Sequence, residues 1–395
     1  MKAGWQWKQI GDVCEIINGG TPKTGVPKYW GGNHLWITPA EMGKRVTPYV
    51  ADTERKLTDL GLRDSSARML PPNSVILSSR APIGHLVINT SPMATNQGCK
   101  GLVLGNQLQH KFLYYYLSSI VDLLNSLGTG TTFKEISGGK LKEVTIPLPP
   151  LPEQQRIVRL LDEAFDRIAT AKANAEKNIH NTRALFESHL EAVFSQRGEG
   201  WVDQTLDQVC IVERGSSPRP IKKYFTTASN GVNWIKIGDT EQGGKYVYST
   251  AQRITPEGAK QSRFVKEGDF ILTNSMSFGR PYIMKTSGYI HDGWFVLRLN
   301  ISIDTDYFYY LLSSPFVQSQ FARLASGAIV KNISGDLTKK AVLPIAPLDQ
   351  QRVIVEKVSA LAAETQRLES IYQRKLAALD ELKKSLLHQA FNGEL

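Results

Sequence analysis

The strongest constraint on this chain is an internal duplication. Three pairs of segments show it: FLYYYLSS at 112–119 and YFYYLLSS at 307–314, FKEISGG at 133–139 and VKNISGD at 330–336, IGDVCEIINGGTPK at 10–23 and LDQVCIVERGSSPR at 206–219. The repeat, about 195 residues long, exceeds the roughly 20–50 residues of a solenoid unit and has the size of a whole domain. We therefore expect two similar domains related by a pseudo-two-fold axis, which suits a partner or substrate that also has two halves.

Composition places the chain among globular proteins and leaves its partner open. Of its 395 residues, 41% are hydrophobic and 21% are charged, as in ordinary globular domains. The absence of a long apolar run and of a signal-peptide h-region predicts a cytoplasmic protein. An excess of 47 basic over 37 acidic residues, a formal charge of +10, favours nucleic acid, although many basic proteins bind none.

The three cysteines, Cys14, Cys99 and Cys210, have no metal-ligand spacing such as C-x-x-C. Cys14 and Cys210 occupy equivalent places in apolar, strand-like runs. We therefore expect buried free thiols rather than a metal site.

Each repeat begins with a mixed domain. Residues 1–146 are rich in Gly, Pro, Trp and Tyr, and turn signals separate β-like runs such as SVILSS (74–79) and HLVIN (85–89). The stretch 110–127 has the length and apolar spacing of one helix. The second copy repeats this order, with DFILTNS at 269–275 and DYFYYLLSS at 306–314. The predicted fold class is α+β for both domains.

A proline-rich joint ends each domain. The joint IPLPPLPEQQR (146–156) stops the β-rich region because proline supplies no ladder donor, and Pro152 followed by Glu153 suits a helix start. Taken alone, LPPLP is also typical of a polyproline ligand. Its repetition as LPIAPLDQQR (343–352), again ahead of a helix, favours a structural joint.

A long helix follows each joint. Neither proline nor glycine interrupts residues 153–197 or 348–392, which predicts two helices, each about 60 Å long at 1.5 Å per residue. Since a helix with one apolar stripe must bury it, we expect the two helices to form an antiparallel coiled coil, with one domain carried at each end. The predicted divisions are a domain at 1–150, a helix at 151–197, a domain at 198–347 and a helix at 348–395.

The predicted seam follows alternating spacings of three and four residues. It comprises Ile157, Leu161, Ala164, Ile168, Ala171, Ala175, Ile179, Thr182, Phe186, His189 and Val193 in the first helix, and Ile354, Val358, Leu361, Thr365, Leu368, Tyr372, Leu376, Leu379 and Leu386 in the second.

No motif for catalysis or metal binding emerges from the sequence. It contains no G-x-x-x-x-G-K-[ST] phosphate loop, no G-x-S-x-G elbow, no H-E-x-x-H and no F-x-G-x-G or [DN]-P-P-[YF] motif of an adenine methyltransferase. The seven histidines include no i,i+4 pair, and packing explains His189 on the helix seam better than ligation does. We therefore predict a non-catalytic chain without a metal site.

The domains carry polar, basic loops at equivalent places instead. These are NGGTPKT (18–24) and RGSSPRPIKK (214–223), SSRAPIGH (78–85) and TNSMSFGR (273–280), TNQG (95–98) and IHDG (290–293), and GTTFKEIS (130–137) and GAIVKNIS (327–334). Arg, Lys, Asn and Gln read base edges in the major groove, while Ser, Thr and Lys hold phosphates. Most such loops are merely solvated. Here, however, the framework residues agree between the copies while the polar residues differ, as two readers of two different sequences require.

These features together resemble the specificity subunit of a type I restriction–modification system. The resemblance covers essentially the whole chain and rests on the W-x(n)-[IL]-x-x-[VI]-x-x-x-x-x-G-x-[TS]-P opening, present at 7–22 and 201–218. It also rests on YWGGNHLWIT (29–38), the K-x-I-S-G motifs at 134–138 and 331–335, the joints PLPEQQR (150–156) and PLDQQR (347–352) and the end SLLHQAFNGEL (385–395). The second domain departs from the pattern at 226–239, where the W-G/N-G step is missing.

The resemblance implies a division of labour. This chain would supply sequence recognition, with no catalysis and no cofactor of its own, and each target-recognition domain would read one half of a bipartite site in double-stranded DNA. Two modification subunits would dock on the helices and methylate adenine N6 with S-adenosylmethionine. Two motor–nuclease subunits can join such complexes, using ATP and Mg²⁺ to translocate and cut DNA.

For direct DNA contact we select polar residues from the eight loops. They are Thr21, Lys23, Ser79, Arg80, Asn96, Gln97 and Lys134 in the first domain, and Ser217, Arg219, Lys222, Asn274, Arg280 and Lys331 in the second.

Two other interpretations stay open at the level of sequence. A non-catalytic protein–protein scaffold with two similar lobes would carry the same repeat, and an enzyme with an unrecognised site would carry no known motif. Salt-dependent binding to duplex DNA distinguishes recognition from scaffolding. Methyl transfer by the chain alone would indicate the enzyme.

Overall fold

The structure is a computed structural model that describes residues 4–130, 134–241, 243–274, 279–325 and 335–395. It forms two compact units, one made of residues 1–175 and 374–395 (unit 1) and the other of residues 176–373 (unit 2). Each unit contains one copy of the repeated domain together with one half of each long helix. The division therefore runs through the helices, because each helix end packs onto a domain.

The first copy has short helices around its strands and ends at the first long helix. Its strands are β1 (Gln6–Gln9), β2 (Cys14–Asn18), β3 (Trp30–Ile37), β4 (Tyr49–Val50), β5 (Arg55–Leu57), β6 (Val75–Ser79), β7 (Ile83–Asn89), β8 (Met93–Thr95), β9 (Cys99–Leu104) and β10 (Thr145–Leu148). Its helices are α1 (Ile10–Val13), α2 (Pro39–Met42), α3 (Asp59–Arg63), α4 (His110–Ser119), α5 (Val121–Leu127), α6 (Gly138–Glu143) and the long α7 (Leu151–Ser195), with a 3-10 turn at Pro27–Tyr29.

The second copy repeats this order. Its strands are β11 (Val202–Thr205), β12 (Cys210–Arg214), β13 (Val232–Ile235), β14 (Tyr246–Val247), β15 (Gln252–Ile254), β16 (Arg263–Val265), β17 (Phe270–Thr273), β18 (Pro281–Met284), β19 (Gly288–Ile290), β20 (Trp294–Leu299) and β21 (Val342–Ile345). Its helices are α8 (Leu206–Val209), α9 (Pro256–Ala259), α10 (Thr305–Ser313), α11 (Pro315–Ala325), α12 (Gly335–Thr338) and the long α13 (Leu348–Asn392), with 3-10 turns at Ile221–Lys223 and Ile237–Asp239.

The main sheet of unit 1 has the order β2-β9-β6-β7-β4, in which β4 runs parallel to β7 and the other neighbours are antiparallel. Because side chains alternate along a strand, β6 feeds two clusters: Val75 and Leu77 point into the core that also holds α4, while Ile76 packs on the opposite face. A smaller sheet, β5-β3-β8, and the ribbon β1-β10 complete the domain.

Unit 2 repeats this plan with the order β12-β20-β17-β18-β14, and β14 is again the parallel edge strand. Strand β17 divides its side chains in the same way, with Phe270 and Leu272 on the helix side and Ile271 on the other. The smaller sheet, β15-β13-β19-β16, has gained a strand, and the ribbon β11-β21 closes the domain. The prediction of two similar α+β domains is confirmed.

The repeated glutamines of the joints have a structural role. Gln154, the fourth residue of α7, is buried, and its side chain accepts from Gln109 N at 2.9 Å and donates to the Pro149 carbonyl at 2.9 Å. Gln351, the fourth residue of α13, accepts from Asp304 N at 2.7 Å and donates to the Ala346 carbonyl at 2.8 Å. Each glutamine therefore satisfies backbone groups that burial would otherwise leave unpaired.

The long helices run antiparallel within each unit. In unit 1, Arg156 Nη2 donates to the Leu395 carbonyl (2.6 Å) and Lys172 pairs with Asp380 (2.8 Å). Residues later along α7 therefore contact residues earlier along α13. In unit 2 the Arg183–Glu369 ion pair at 2.9 Å, together with Phe194 and Val358 in one core cluster, shows the same antiparallel direction. Each helix is 45 residues long, hence about 68 Å. The predicted antiparallel pairing is confirmed.

The far end of each long helix packs into a domain core through one phenylalanine. Phe391 of α13 makes edge contacts with the rings of Phe112 and Tyr116 at 5.2 and 5.1 Å, and Phe194 of α7 contacts Tyr307 at 5.5 Å. Such pairs contribute about 0.5–1.5 kcal/mol beyond their burial.

These contacts shift the seam at the end of α7. The predicted residues His189 and Val193 are half-buried, while Leu190 and Phe194, one position later, are buried. Val193 still packs against the core of unit 2, but the deepest burial lies one residue later, because this part of α7 contacts that core as well as its helical partner.

The single helix predicted over 110–127 is two helices. At Ile120 the backbone leaves the helical region (φ −112°, ψ 21°), which separates α4 from α5. Neither proline nor glycine marks the break. Leu117 and Leu124, one on each side of the break, are both buried in the same core, so packing favours two short helices at an angle.

The three cysteines are buried and unpaired, as predicted. Burial raises the pKa of Cys14, Cys99 and Cys210 to about 12, so the thiols are neutral at physiological pH. Within the described part of the chain, none of the helices is both long and apolar enough to cross a membrane.

Candidate nucleic-acid interface

The four loops of the first domain meet at one end of its main sheet. β2 ends at Asn18, and the next residues are tied to the loop before β9: Gly19 N donates to the Cys99 carbonyl (3.1 Å) and Gly20 N to the Thr95 carbonyl (2.8 Å). A Cβ on Gly19 would lie 1.9 Å from the Asn96 carbonyl oxygen, so this close approach requires glycine.

Thr21 and Asn96 organise this junction. The Thr21 hydroxyl accepts from Gln97 N at 3.4 Å, and the Asn96 side chain accepts from Gly98 N at 2.5 Å. Lys23 and Gln97 are exposed beside them. The first domain therefore presents two predicted contact residues, Lys23 and Gln97, on a frame that the other two stabilise.

The remaining two loops of this domain are joined by a bridge between Arg80 and Glu135 and by the bond from Ile136 N to the Ser79 carbonyl at 3.0 Å. The Glu135 carboxylate lies 3.5 Å from Arg80 Nη1 and 3.5 Å from Lys100 Nζ. Lys134 is exposed, whereas the Lys100 side chain is only 7% exposed. Sequence reasoning missed Glu135 and Lys100. An acid within an otherwise basic loop was the available signal for Glu135.

Ser79 is buried, and its hydroxyl has no hydrogen-bond partner among the residues that the structure describes. Its contact with DNA stays a prediction that this burial does not support. The backbone of Ser79 links two of the loops, since Ser79 N donates to the Gly98 carbonyl at 2.7 Å.

In the described residues of the second domain, three of its four loops converge on Asp292. Its carboxylate accepts from the Ser217 hydroxyl at 2.7 Å and from Arg219 Nη2 at 3.0 Å. Its backbone carbonyl accepts from Asn274 Nδ2 at 2.8 Å and from Arg214 Nε at 3.3 Å. The Ser217 hydrogen bond, with help from Arg219, holds the pKa of Asp292 below its usual range, so the carboxylate is charged at neutral pH.

Three predicted residues of the second domain therefore meet at Asp292: Ser217 and Arg219 at its carboxylate, and Asn274 at its backbone carbonyl. Sequence reasoning missed Asp292 itself, although it stands in the IHDG loop already matched to TNQG. The Asn274 side chain is buried and joins two loops through its bond to the Asp292 carbonyl, so its contact with DNA stays a prediction that this burial does not support.

Lys222 is exposed, and Arg280 is half-buried with its backbone bonded to Thr273 across the loop. Lys331 lies outside the described residues. In the described part of the chain, no group of three or more histidine, cysteine, aspartate or glutamate side chains could hold a metal ion.

The arrangement is suited to polar, anionic ligands. Arginine and lysine donors beside serine, threonine and glutamine can bind phosphate oxygens and the acceptors on base edges. Each domain offers one such face, built on the same sheet order but with different loop residues. Fold and site together define a recognition protein with two similar, separately specialised domains.

Comparison with known proteins leads to the same class. Residues 2–180 and 198–375 each match the family described as the type I restriction modification DNA specificity domain. The chain belongs to this family.

Among its relatives, the MjaIX type I restriction enzyme specificity subunit of Methanocaldococcus jannaschii is 32% identical over 240 residues, 57% of this chain and 56% of the relative. The EcoR124I/EcoR124II specificity subunit of Escherichia coli is 28% identical over 198 residues, 48% of each chain. The matched region thus spans about half the length of these two curated relatives.

The fold also has a close counterpart among solved structures. A chain from a structural study of complex assembly and conformational transition in the type I R-M system has a TM-score of 0.82 and 20% identity, covering 100% of this chain and 99% of that one. At this identity the likeness concerns the fold alone.

Proposed function

We propose that this chain is the DNA-binding specificity subunit of a type I restriction–modification complex, in which each domain reads one half of a bipartite DNA site. In this role it directs adenine methylation by partner subunits and carries out no chemistry itself.

The observation that carries the proposal is the contrast between scaffold and loops. The order of the main sheet, its parallel edge strand and the helix-start glutamine are the same in both domains. The loop clusters are organised differently, around Glu135 in one domain and around Asp292 in the other. A shared frame with different contact residues is what two readers of unlike half-sites need.

The long helices supply a surface for the proposed modification subunits. Apolar side chains stand in solvent along them, among them Leu185 (65% exposed), Val353 (50%) and Leu382 (47%). Single exposed apolar residues are common on protein surfaces, so the docking of modification subunits on these helices rests on the family resemblance and not on these positions. S-adenosylmethionine, ATP and Mg²⁺ would bind to the partner subunits, two for modification and two for translocation and cleavage where a nuclease is present.

Reconstitution tests this proposal. We expect the purified chain, given S-adenosylmethionine, ATP and Mg²⁺, neither to methylate nor to cut duplex DNA, and to support adenine methylation once modification subunits are added. Binding should weaken steeply with salt, because phosphate contacts release counterions. Turnover by the lone chain, abolished by a point substitution within it, would show an enzyme. A complex with modification subunits that binds no duplex DNA would indicate the scaffold.

Two substitutions should separate base reading from phosphate binding. Arg80→Ala should lower discrimination at the first half-site by about 5-fold to 100-fold, because one bidentate base contact is worth roughly 1–3 kcal/mol. Lys222→Ala, at an exposed position, should weaken binding to all sequences equally and reduce the salt slope by about one.

The measurement is equilibrium binding of the reconstituted complex to matched and mismatched duplexes over a salt series. Lys266→Ala is the matched control, since Lys266 is also exposed but precedes β17, at the opposite end of that strand from the 273–280 loop. If Lys222→Ala altered sequence preference, or Arg80→Ala weakened all duplexes alike, the two assignments would be wrong.

A further inference from the structure

Asp292 is an acidic residue on a face that we propose binds DNA, where the negatively charged phosphates would repel it. Its two carboxylate oxygens have separate partners, Ser217 on one and Arg219 on the other, both from the loop that follows β12. The Arg219 side chain is 77% exposed, whereas that of Asp292 is 43% exposed. The acid is thus the less exposed partner of the ion pair, and its fixed carboxylate orients the more exposed arginine.

This placement leaves most of the guanidinium free to bind. Arginine has five N–H donors in a rigid, planar fork and no acceptor. Asp292 takes one of them, from Nη2. Among the described residues Asp292 is the partner of the Arg219 side chain, so the other donors can bind a ligand that accepts two hydrogen bonds in one plane.

We infer that Asp292 is a positioning residue that fixes Arg219 for the bidentate reading of a guanine in the second half-site. The inference rests on the proposed function and goes beyond it by assigning a base and a residue pair. Guanine presents two acceptors, N7 and O6, in the major groove, whereas adenine pairs an acceptor with a donor that would oppose an arginine N–H.

The carboxylate has a second effect, through its charge. Phosphates surround any duplex bound by this face, and a fixed negative charge beside Arg219 disfavours arrangements in which that arginine merely rests on the backbone. The fixed orientation of the guanidinium strengthens a contact with a base. The repulsion between the carboxylate and the phosphates weakens a loose contact with the backbone. Asp292 therefore raises the ratio of specific to non-specific binding through both effects.

The test uses the full chain reconstituted with modification subunits, with duplexes that vary one base pair of the second half-site at a time. In Asp292→Asn we expect discrimination at one G·C pair to fall by about 10-fold to 100-fold, and affinity for unrelated duplex DNA to rise. Arg219→Ala should lose discrimination at the same pair. The double variant should lose no more than either single variant, because the two residues act as one unit. The first half-site should be read as before in all three.

Asp203→Asn is the matched control. Asp203 also pairs with an arginine, Arg197, at 3.0 Å, and its substitution changes the net charge equally, but it lies on β11, away from the loops. It should keep the parent specificity. If Asp292→Asn impairs folding, as melting would show, Arg219→Ala and Ser217→Ala carry the test. Arg219→Ala should relax one G·C pair, and Ser217→Ala, by freeing the carboxylate from one anchor, should weaken the same pair less.

The outcomes separate this inference from the proposed function. A parent complex without sequence preference would refute the proposed function itself. A selective parent complex in which Asp292→Asn keeps full discrimination, or in which Asp292→Asn and Arg219→Ala relax different base pairs, would refute only the inference.

Discussion

Replacement of Leu161 by lysine is expected to destabilise strongly the compact unit in which that residue lies. Leu161 is 1% exposed and belongs to the core shared by α7, the end of α13 and the first domain, beside Ile157 and Phe391. Truncating a buried leucine costs about 2–5 kcal/mol, and a buried, unpaired ammonium adds a desolvation penalty to the lost contacts. A whole domain is stable by only about 5–15 kcal/mol.

The measurement is thermal unfolding of the purified chain. With about 2–4 °C per kcal/mol for a unit of this size, a loss of about 4 kcal/mol or more lowers the melting temperature by roughly 10 °C. Leu160→Lys is the matched control, because the neighbouring Leu160 is 37% exposed and should tolerate the charge. Equal melting temperatures for the two variants would contradict the packing of the helix pair described above.

Exchange of the first domain for that of a relative is expected to change one half of the methylated DNA motif. If each domain reads its own half-site, residues 1–150 carry the first half and residues 198–347 the second. Sequencing of methylated adenine in host DNA should then show a new first half, with the second half and the spacer between them unchanged. The reciprocal exchange of 198–347 should change only the second half.

The structure sets the junction for this chimera. A cut at residue 146 would divide β10, which pairs with β1 through Lys8 and Ile146. A cut at residue 150 keeps that ribbon within the exchanged segment. The incoming domain must also supply aromatic residues at positions 112 and 116, because Phe391 of the retained helix packs on them. A motif changed in both halves, or in neither, would show that recognition is not divided between the domains.

Local pattern predicted the parts of the molecule that depend on neighbours along the chain. The proline-rich joints, followed by long runs without proline or glycine, predicted both long helices, because helix formation depends on such nearby residues. Burial of Cys14 and Cys210 followed from apolar strand-like surroundings in the same way. Where a packing partner came from elsewhere, pattern failed: the break at Ile120 and the shift from His189 to Leu190 both follow a core contributed by other segments.

The candidate site, like the fold, could be predicted from sequence only in part. The loops could be chosen from sequence, because glycine, polarity and repetition mark them locally, and the structure brings together those of the first domain and three of the second. Which side chains face outward could not be chosen. Serine and asparagine are residue types that often contact DNA, yet Ser79 and Asn274 are buried in the folded domains.

Sequence by itself determined that this chain is a duplicated α+β domain with two long helices and polar loops at matching places. It did so because periodicity, proline and repetition act over short distances along the chain. Only the tertiary structure decided that Glu135 and Asp292 lie among the basic residues, since strand order brings together groups as far apart in sequence as Ser217 and Asp292, 75 residues apart. The energy of an ion pair depends on the distance between its charges in space. The separation of two residues along the chain does not determine that distance, which is set only when the sheet forms.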